Sequence, residues 1–301
     1  MKRKKTKSIV EYLAMMLFIK FFKFLPYKFS ESVLITLFVF FGNTFRIRKK
    51  IALQQIQDSL PDVNDKNRII HDTYKHLAKV AADMYINNSD TDKQITIDGW
   101  NNIKHSLSLG RGLLIVSGHL GNWEFAGRFL AAQNITINVV IKRLRNQYVN
   151  NYTNKIRNKH GIKIIYKNKS LKPTLQAFKN NEAVVALIDQ DAGKEGTCLP
   201  FLGRNASLFT GFVRLSQKLD TPIVFGAVLR NNDGSYRFVF DKPIIPSEYC
   251  REHSLTDKTT AEIVIAKHFH NRLEQFIVHY PGQWFWLHNR WKGAHKAKIA
   301  L

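Results

Sequence analysis

The stretch GLLIVSGHLGNWEFAG, residues 112–127, joins a short, continuously apolar run to a histidine set between two glycines and then to a helix-like segment. A run such as GLLIVS has no polar face, so it suits a strand covered on both sides, and parallel sheets are built from such strands. The pattern repeats outward from there. Apolar runs at 135–141, 162–166, 183–189, 222–229 and 236–240 alternate with helix-like stretches at 123–132, 149–158, 170–180 and 210–218. Strand, crossover helix, strand is the grammar of an α/β domain, so the spacing predicts a mostly parallel central sheet flanked by helices. Residues 259–280 read as one more amphipathic helix, and the tail 284–298 is aromatic and then basic. Neither an internal repeat nor a low-complexity linker divides the chain.

Upstream, the pattern differs. Residues 51–87 carry apolar side chains at helical spacing, interrupted by Pro61 and Asp62, which predicts two scaffold helices. Residues 1–45 begin MKRKKTK and continue with two apolar stretches, 9–25 and 33–42, around a polar break at Pro26, Lys28, Ser30 and Glu31. Glu11, Lys20 and Lys23 interrupt the first stretch and the second is short, so neither is the ~20-residue apolar run of a simple spanning helix. Phe18, Phe21, Phe22 and Phe24 among lysines instead suit a helix lying in the membrane interface or entering it obliquely. Arg46, Arg48, Lys49 and Lys50 would meet anionic headgroups. A cleaved signal peptide is the rival reading, but no small-residue cleavage site follows the apolar run. The expected partition is therefore a membrane-associated segment at 1–45 and an α/β domain at 46–301, with helical scaffold at 46–97 and a catalytic core at 98–301.

The 46 Lys and Arg residues against 23 Asp and Glu give a formal charge of +23, so polyanions are the expected partners: nucleic acid, anionic lipid or an acidic protein. Cys198 and Cys250 are too few for a disulfide framework or a zinc site and fit a reducing compartment.

His119 at a strand's carboxyl end, with Glu124 five positions on at the opening of a helix, sits where open α/β sheets place their ligand crevice. Gly118 and Gly121 allow a sharp turn and leave the approach to His119 clear. His119 can take a proton as general base while Glu124 holds the imidazole tautomer, so the attacking oxygen can belong to the substrate. The same spacing also fits a core histidine beside a helix-start glutamate. HLGNWE lacks the paired His of a zinc helix, and no Cys or His cluster elsewhere offers further ligands, so neither metal nor cofactor is expected. In IDQDAG, residues 188–193, Asp189 and Asp191 could hold Arg204, Arg143 or Arg145 by bidentate pairing, or could cap the following turn. Lys142, Arg143 and Arg145 could equally be a solvated charged face. Trp284, Trp286 and Trp291 with His288, Arg290 and Lys292 fit either a membrane-interface anchor or an aromatic cluster closing the core.

HLGNWE resembles the H-x-x-x-x-(D/E) motif of the lysophospholipid acyltransferase superfamily. Its setting resembles the bacterial lipid A biosynthesis branch, the lauroyl and myristoyl acyltransferases that use acyl-carrier protein. The resemblance covers nearly the whole chain: GRGLLIVSGHLGNWE at 110–124, IKRLRN at 141–146, ALIDQDAG at 186–193, LPFLGRNASLFTG at 199–211, TPIV at 221–224 and YPGQWFWLHNRWK at 280–292. It implies that His119 is the general base and Glu124 its orienting partner, that Arg143 or Arg145 binds phosphate, and that Asp189 and Asp191 shape the pocket, with Arg204 a further substrate-binding candidate. Two departures stand out. Leu202 follows Phe201 where the family often has a second phenylalanine, and Gly282 stands where its tail often has glutamate.

The expected reaction is transfer of a fatty acyl group from a thioester of acyl-carrier protein, or of coenzyme A, to a hydroxyl of a lipid A precursor, at the cytoplasmic face of a bacterial inner membrane. The expected partners are that carrier protein, an anionic lipid acceptor and the membrane surface. The oxyanion donors are either backbone N–H groups at 118–121 or a neighbouring Arg. The same chemistry on another lipid acceptor is an alternative. The non-enzyme rival, a membrane-tethered nucleic-acid binder, has the net charge in its favour, but its basic residues are scattered and no recognition motif appears.

Overall fold

A computed structural model of the chain describes residues 2–87 and 94–299, with the side chains of 2–4 and 299 set aside. Met1, residues 88–93 within the expected scaffold, and 300–301 lie outside the described residues.

Helices α1 (Lys2–Lys23) and α2 (Tyr27–Thr44) meet at Pro26, where the chain breaks as its polar residues predict. Helices α3 (Lys49–Ser59) and α4 (Lys66–Tyr85) follow, separated around Pro61. Asp65 caps α4 by accepting from the Arg68 N–H, which satisfies one of the donors that a helix start leaves open. Leu34 of α2 and Phe22 of α1 bury against Ala78 and Ala82 of α4 in a small separate core. Outward, however, Leu17, Phe21, Phe24 and Phe45 are 73%, 59%, 89% and 66% exposed. Among the described residues no helix is long and apolar enough to cross a membrane.

The α/β part runs β1 (Ile95–Asp98), α5 (Trp100–Ser108), β2 (Leu113–Ser117), α6 (Trp123–Ala132), β3 (Ile137–Ile141), α7 (Gln147–Lys159), β4 (Lys163–Tyr166), α8 (Leu171–Lys179) and β5 (Ala183–Leu187). Then come β6 (Thr197–Phe201), β7 (Arg204–Leu208), α9 (Gly211–Gln217), β8 (Ile223–Arg230), β9 (Tyr236–Phe240), α10 (Pro246–Glu252), α11 (Lys258–His279) and β10 (Lys298–Ile299). The larger sheet has seven strands in the order β1-β9-β8-β2-β5-β3-β4. From β8 to β4 every pairing is parallel, and only the β8–β9 pair is antiparallel, so β1 and β9 form a reversed edge on a parallel core. Burial explains the arrangement: Leu113 to Val116 are at most 3% exposed, as a central strand covered on both faces requires. One core cluster packs α9, α11 and the tail against one face, with Phe212, Phe269 and Trp286 at its centre. The other packs Phe125 of α6 with Tyr236 and Phe238 of β9.

Elements the sequence left unread are mostly those without a full apolar run. LPFLGRNASL is a hairpin of β6 and β7, turned at Leu202 and Gly203, whose φ values of 48° and 73° are those of a two-residue hairpin turn. It joins β10 in a three-stranded sheet. Leu202 is thus a turn residue, which is why it need not repeat the aromatic bulk of Phe201. Gly282 packs against Asp72 of α4, where a Cβ would lie 2.7 Å from the Asp72 Cβ, so a glutamate there would meet both a clash and a like charge.

Candidate active site

β2 and β5 are parallel neighbours, Ser117 lying beside Leu187, so the segments that leave their carboxyl ends emerge side by side. One carries His119 and the other Asp189. The His119 Nδ1–H donates to Asp189 Oδ1 at 2.7 Å, and the His119 backbone N–H donates to Asp189 Oδ2 at 2.7 Å. The Trp284 indole N–H adds a third bond to Oδ2 at 2.8 Å. Burial would raise the Asp189 carboxyl, but the facing imidazole and these donors outweigh it and hold the group at about 2. Asp189 is thus a buried, ionised acceptor, its side chain 2% exposed, whereas the His119 side chain is 19% exposed and presents Nε2 outward. This is the geometry of a general base held in one tautomer from behind.

The turn is fixed from several directions. Gly121, at φ 58°, lies so close to the Val228 carbonyl that any Cβ would collide with it. Gly118 leaves room for Leu273 and for the Asp189 carboxylate, the latter 3.2 Å from an added Cβ. The glycines therefore serve close packing behind His119 as much as the expected sharp turn and open approach. The Gly121 carbonyl accepts from the buried His76 Nε2 at 2.9 Å, and burial pushes His76 down to about 4, so that it stays neutral. Asn122 caps α6 through the Phe125 N–H and donates to the fully buried Asp83 at 2.7 Å. Asp83 also accepts from Tyr27 of α2 and Tyr236 of β9, each at 2.6 Å, which ties the N-terminal helices to the turn. On the other side, the tail bridges Leu120 to Trp284, with the Gly121 N–H on the Gln283 carbonyl and the Phe285 N–H on that of His119.

Glu124 sits elsewhere than the spacing suggests. On the first turn of α6 it accepts a bidentate pair from Arg157 of α7, at 2.6 and 3.1 Å. Burial lowers the Arg157 guanidinium, but the Glu124 charge outweighs that and raises it. The imidazole's Nδ1 partner is thus Asp189, and Glu124 is occupied by Arg157. Five residues of spacing after a glycine turn place Glu124 near His119 in sequence without aiming its carboxylate at Nδ1.

Asp191 does not pair with Arg143, Arg145 or Arg204. It accepts from the Gly193 N–H at 3.2 Å, the turn cap that was one of its two readings, and its own N–H donates to His288 Nε2 at 3.1 Å. Arg204 pairs with Asp58 of α3 at 3.1 Å and lies over the Trp291 ring. Arg143 stacks 4.5 Å above Tyr166, and both Arg143 and Arg145 are exposed on the segment that leaves the carboxyl end of β3, on the His119 side of the sheet. Trp284, Trp286 and Trp291 are buried, as is Arg290, so the tail closes the core and does not form an interface anchor.

Sequence reasoning missed Arg157, Asn122 and the Trp284–Asp189 bond, and placed Asp189 in the pocket without its link to His119. The one signal for that link was a second apolar strand ending in an acidic residue, and its use required knowing that β5 adjoins β2.

A parallel sheet whose central strands lead into a histidine and the carboxylate that holds it is an arrangement able to take a proton from a hydroxyl. Across residues 1–293 the sequence matches the model of the bacterial lipid A biosynthesis acyltransferases, and the chain belongs to that family. It is an acyltransferase of lipid A biosynthesis. It is similar to the lipid A biosynthesis palmitoleoyltransferase of Escherichia coli K12 and to a lipid A biosynthesis acyltransferase of Shigella flexneri. Each is 23% identical over 253 residues, covering 81% of this chain and 79% of the relative.

Proposed function

We propose that this acyltransferase moves a fatty acyl chain from an acyl-carrier-protein thioester, or from acyl-CoA, to a hydroxyl of a lipid A precursor or related glycolipid at the cytoplasmic face of the inner membrane. The observation that carries the chemistry is the His119–Asp189 pair at 2.7 Å, with the imidazole partly exposed on its other side. His119 Nε2 takes the hydroxyl proton as the substrate oxygen bonds to the thioester carbonyl carbon. The carbonyl electron pair moves to oxygen, then returns as the C–S bond breaks, and the thiolate takes the proton back from the imidazolium. Asp189 holds Nδ1 protonated throughout and stabilises the imidazolium. Glu124 fixes Arg157, and through it the contact between α6 and α7, rather than touching the base.

The surroundings support the substrates. Arg143 and Arg145 offer exposed guanidinium groups for acceptor phosphates. The apolar exterior of α1 and α2, with Lys20, Lys23, Arg46 and Arg48 among it, suits a helix pair seated in the lipid interface. Asn146 at the start of α7 donates to the Ser8 carbonyl and to Glu11, which brings α1 to the same side of the sheet as His119. A formal +23 favours approach to an anionic bilayer and to an acidic carrier protein.

The test supplies membranes containing wild type or His119→Ala with labelled acyl-carrier-protein thioester, then with acyl-CoA, and an underacylated lipid A precursor. Transfer by wild type and a loss of ~100-fold or more in the variant are expected for a general base. Equal activity of the two would overturn the mechanism.

A further inference from the structure

The proposed reaction puts negative charge on the thioester oxygen, and preorganised donors for such a charge are commonly the largest single source of rate. Two of the four backbone donors suggested by the glycine turn, those of His119 and Gly121, are already engaged, as is the Asn122 N–H that follows them. The His119 N–H is on Asp189, the Gly121 N–H is on the Gln283 carbonyl and the Asn122 N–H is on the Val228 carbonyl. Among nearby guanidinium groups, Arg157 is committed to Glu124 by two bonds and Arg230 to Glu31 at 2.7 Å. One side chain lies at the working face of the base. Gln190, next in sequence to Asp189 and itself exposed, places its amide nitrogen 3.3 Å from His119 Nε2.

We infer that Gln190 is a catalytic residue of this acyltransferase, its side-chain amide donating to the thioester oxyanion. The inference rests on the reading of His119 as general base. The tautomer supports it: with Nδ1–H on Asp189, Nε2 carries a lone pair, so the group facing it must be a donor, and the amide NH2 has two N–H bonds. At 3.3 Å the resting contact is long and cheaply broken, and an exposed glutamine can yield Nε2 to the incoming hydroxyl. Having yielded, its amide stays within a few ångströms of the oxygen that attacks, which is where the carbonyl carbon and its oxygen must lie. Asp189 and Gln190 are adjacent, so one rigid turn after β5 would position both the base and the charge it creates.

Gln190→Ala and Gln190→Glu in the full-length enzyme test this, assayed with an acyl-carrier-protein thioester and lipid A precursor beside wild type and His119→Ala. Loss of one oxyanion donor predicts that kcat falls about 100-fold in Gln190→Ala. The KM for the thioester should stay within a few-fold and the melting temperature should be unchanged. Gln190→Glu, whose carboxylate repels the oxyanion, should fall further. Isotope-edited infrared spectra of a 13C-carbonyl thioester bound to His119→Ala should show a carbonyl shift that is lost in the double variant with Gln190→Ala. Gln190→Ala within about three-fold of wild-type kcat, while His119→Ala is inactive, would overturn this inference and leave the general base standing. An active His119→Ala would overturn both.

Discussion

At the level of single residues, the site separates two carboxylates that sequence spacing alone makes look interchangeable. Asp189 receives three N–H bonds, one of them from the imidazole, and Glu124 receives a guanidinium. Replacing Glu124 by Gln leaves Arg157, a mostly buried cation, without its charge partner. Removing one partner of such a pair costs a few kcal/mol, so the expected result is a melting temperature lowered by several degrees, read by thermal denaturation. Activity at a temperature where the variant stays folded should fall much less than in Asp189→Asn. Gly121→Ala combines a left-handed φ with a collision at the Val228 carbonyl, and no flexible side chain is there to yield. It should destabilise the fold by several kcal/mol and remove activity with it, measurable by denaturant unfolding.

At the level of elements, two buried histidines give the fold a pH dependence with a definite sign. His76 of α4 holds the Gly121 carbonyl, and His270 of α11 sits among Phe201 and Phe212. Burial lowers His76 to about 4 and His270 to about 3 from an ordinary 6.5, since charging either would desolvate an imidazolium. The unfolded chain then binds more protons below pH 6.5, so stability present above that value is lost as pH falls toward 4 and 3. At about 1.4 kcal/mol per unit the two together amount to several kcal/mol. Unfolding free energy should therefore decline steadily between pH 6.5 and 4. His76→Gln, which keeps a donor for Gly121, should flatten part of that slope, whereas an unchanged slope would remove His76 from the explanation.

The long elements were legible because each carries its own signal: the apolar runs of β2, β5 and β8, the helical spacing of α4 and α11, and the break at Pro26. The β6–β7 hairpin and β1 were not, because Pro200 and Arg204 in the one and Thr96 and Asp98 in the other break any apolar run, and pairing with distant strands defines them. The site divided in the same way. His119 announces itself through the glycines around it, a local feature. Asp189, Trp284 and Arg157 reach their partners only through strand order and helix packing, and one chain's spacing does not contain those.

Across the whole molecule, Asn146 bonds Ser8 and Glu11 of α1, so the first turns of α1 lie beside the basic segment 142–146, which leaves β3 at the same end of the parallel strands as the His119 turn leaves β2. Leu17→Asp with Phe21→Asp alters only exposed side chains, so folding should persist. Binding to anionic vesicles should weaken by tenfold or more in a flotation assay, and activity on vesicle-borne acceptor should drop while activity on detergent-dispersed acceptor is kept. Undiminished flotation would show that these helices are not the lipid contact.

The most direct measurement of the central claim compares acyl transfer by Asp189→Asn and Glu124→Gln with wild type, at a temperature where all three are folded. If Asp189 holds the base in its working tautomer, Asp189→Asn should lose on the order of 1,000-fold in kcat, as the loss of a base's orienting carboxylate does, and Glu124→Gln should keep most of its activity. The reverse order, with Glu124→Gln inactive and Asp189→Asn active, would contradict it.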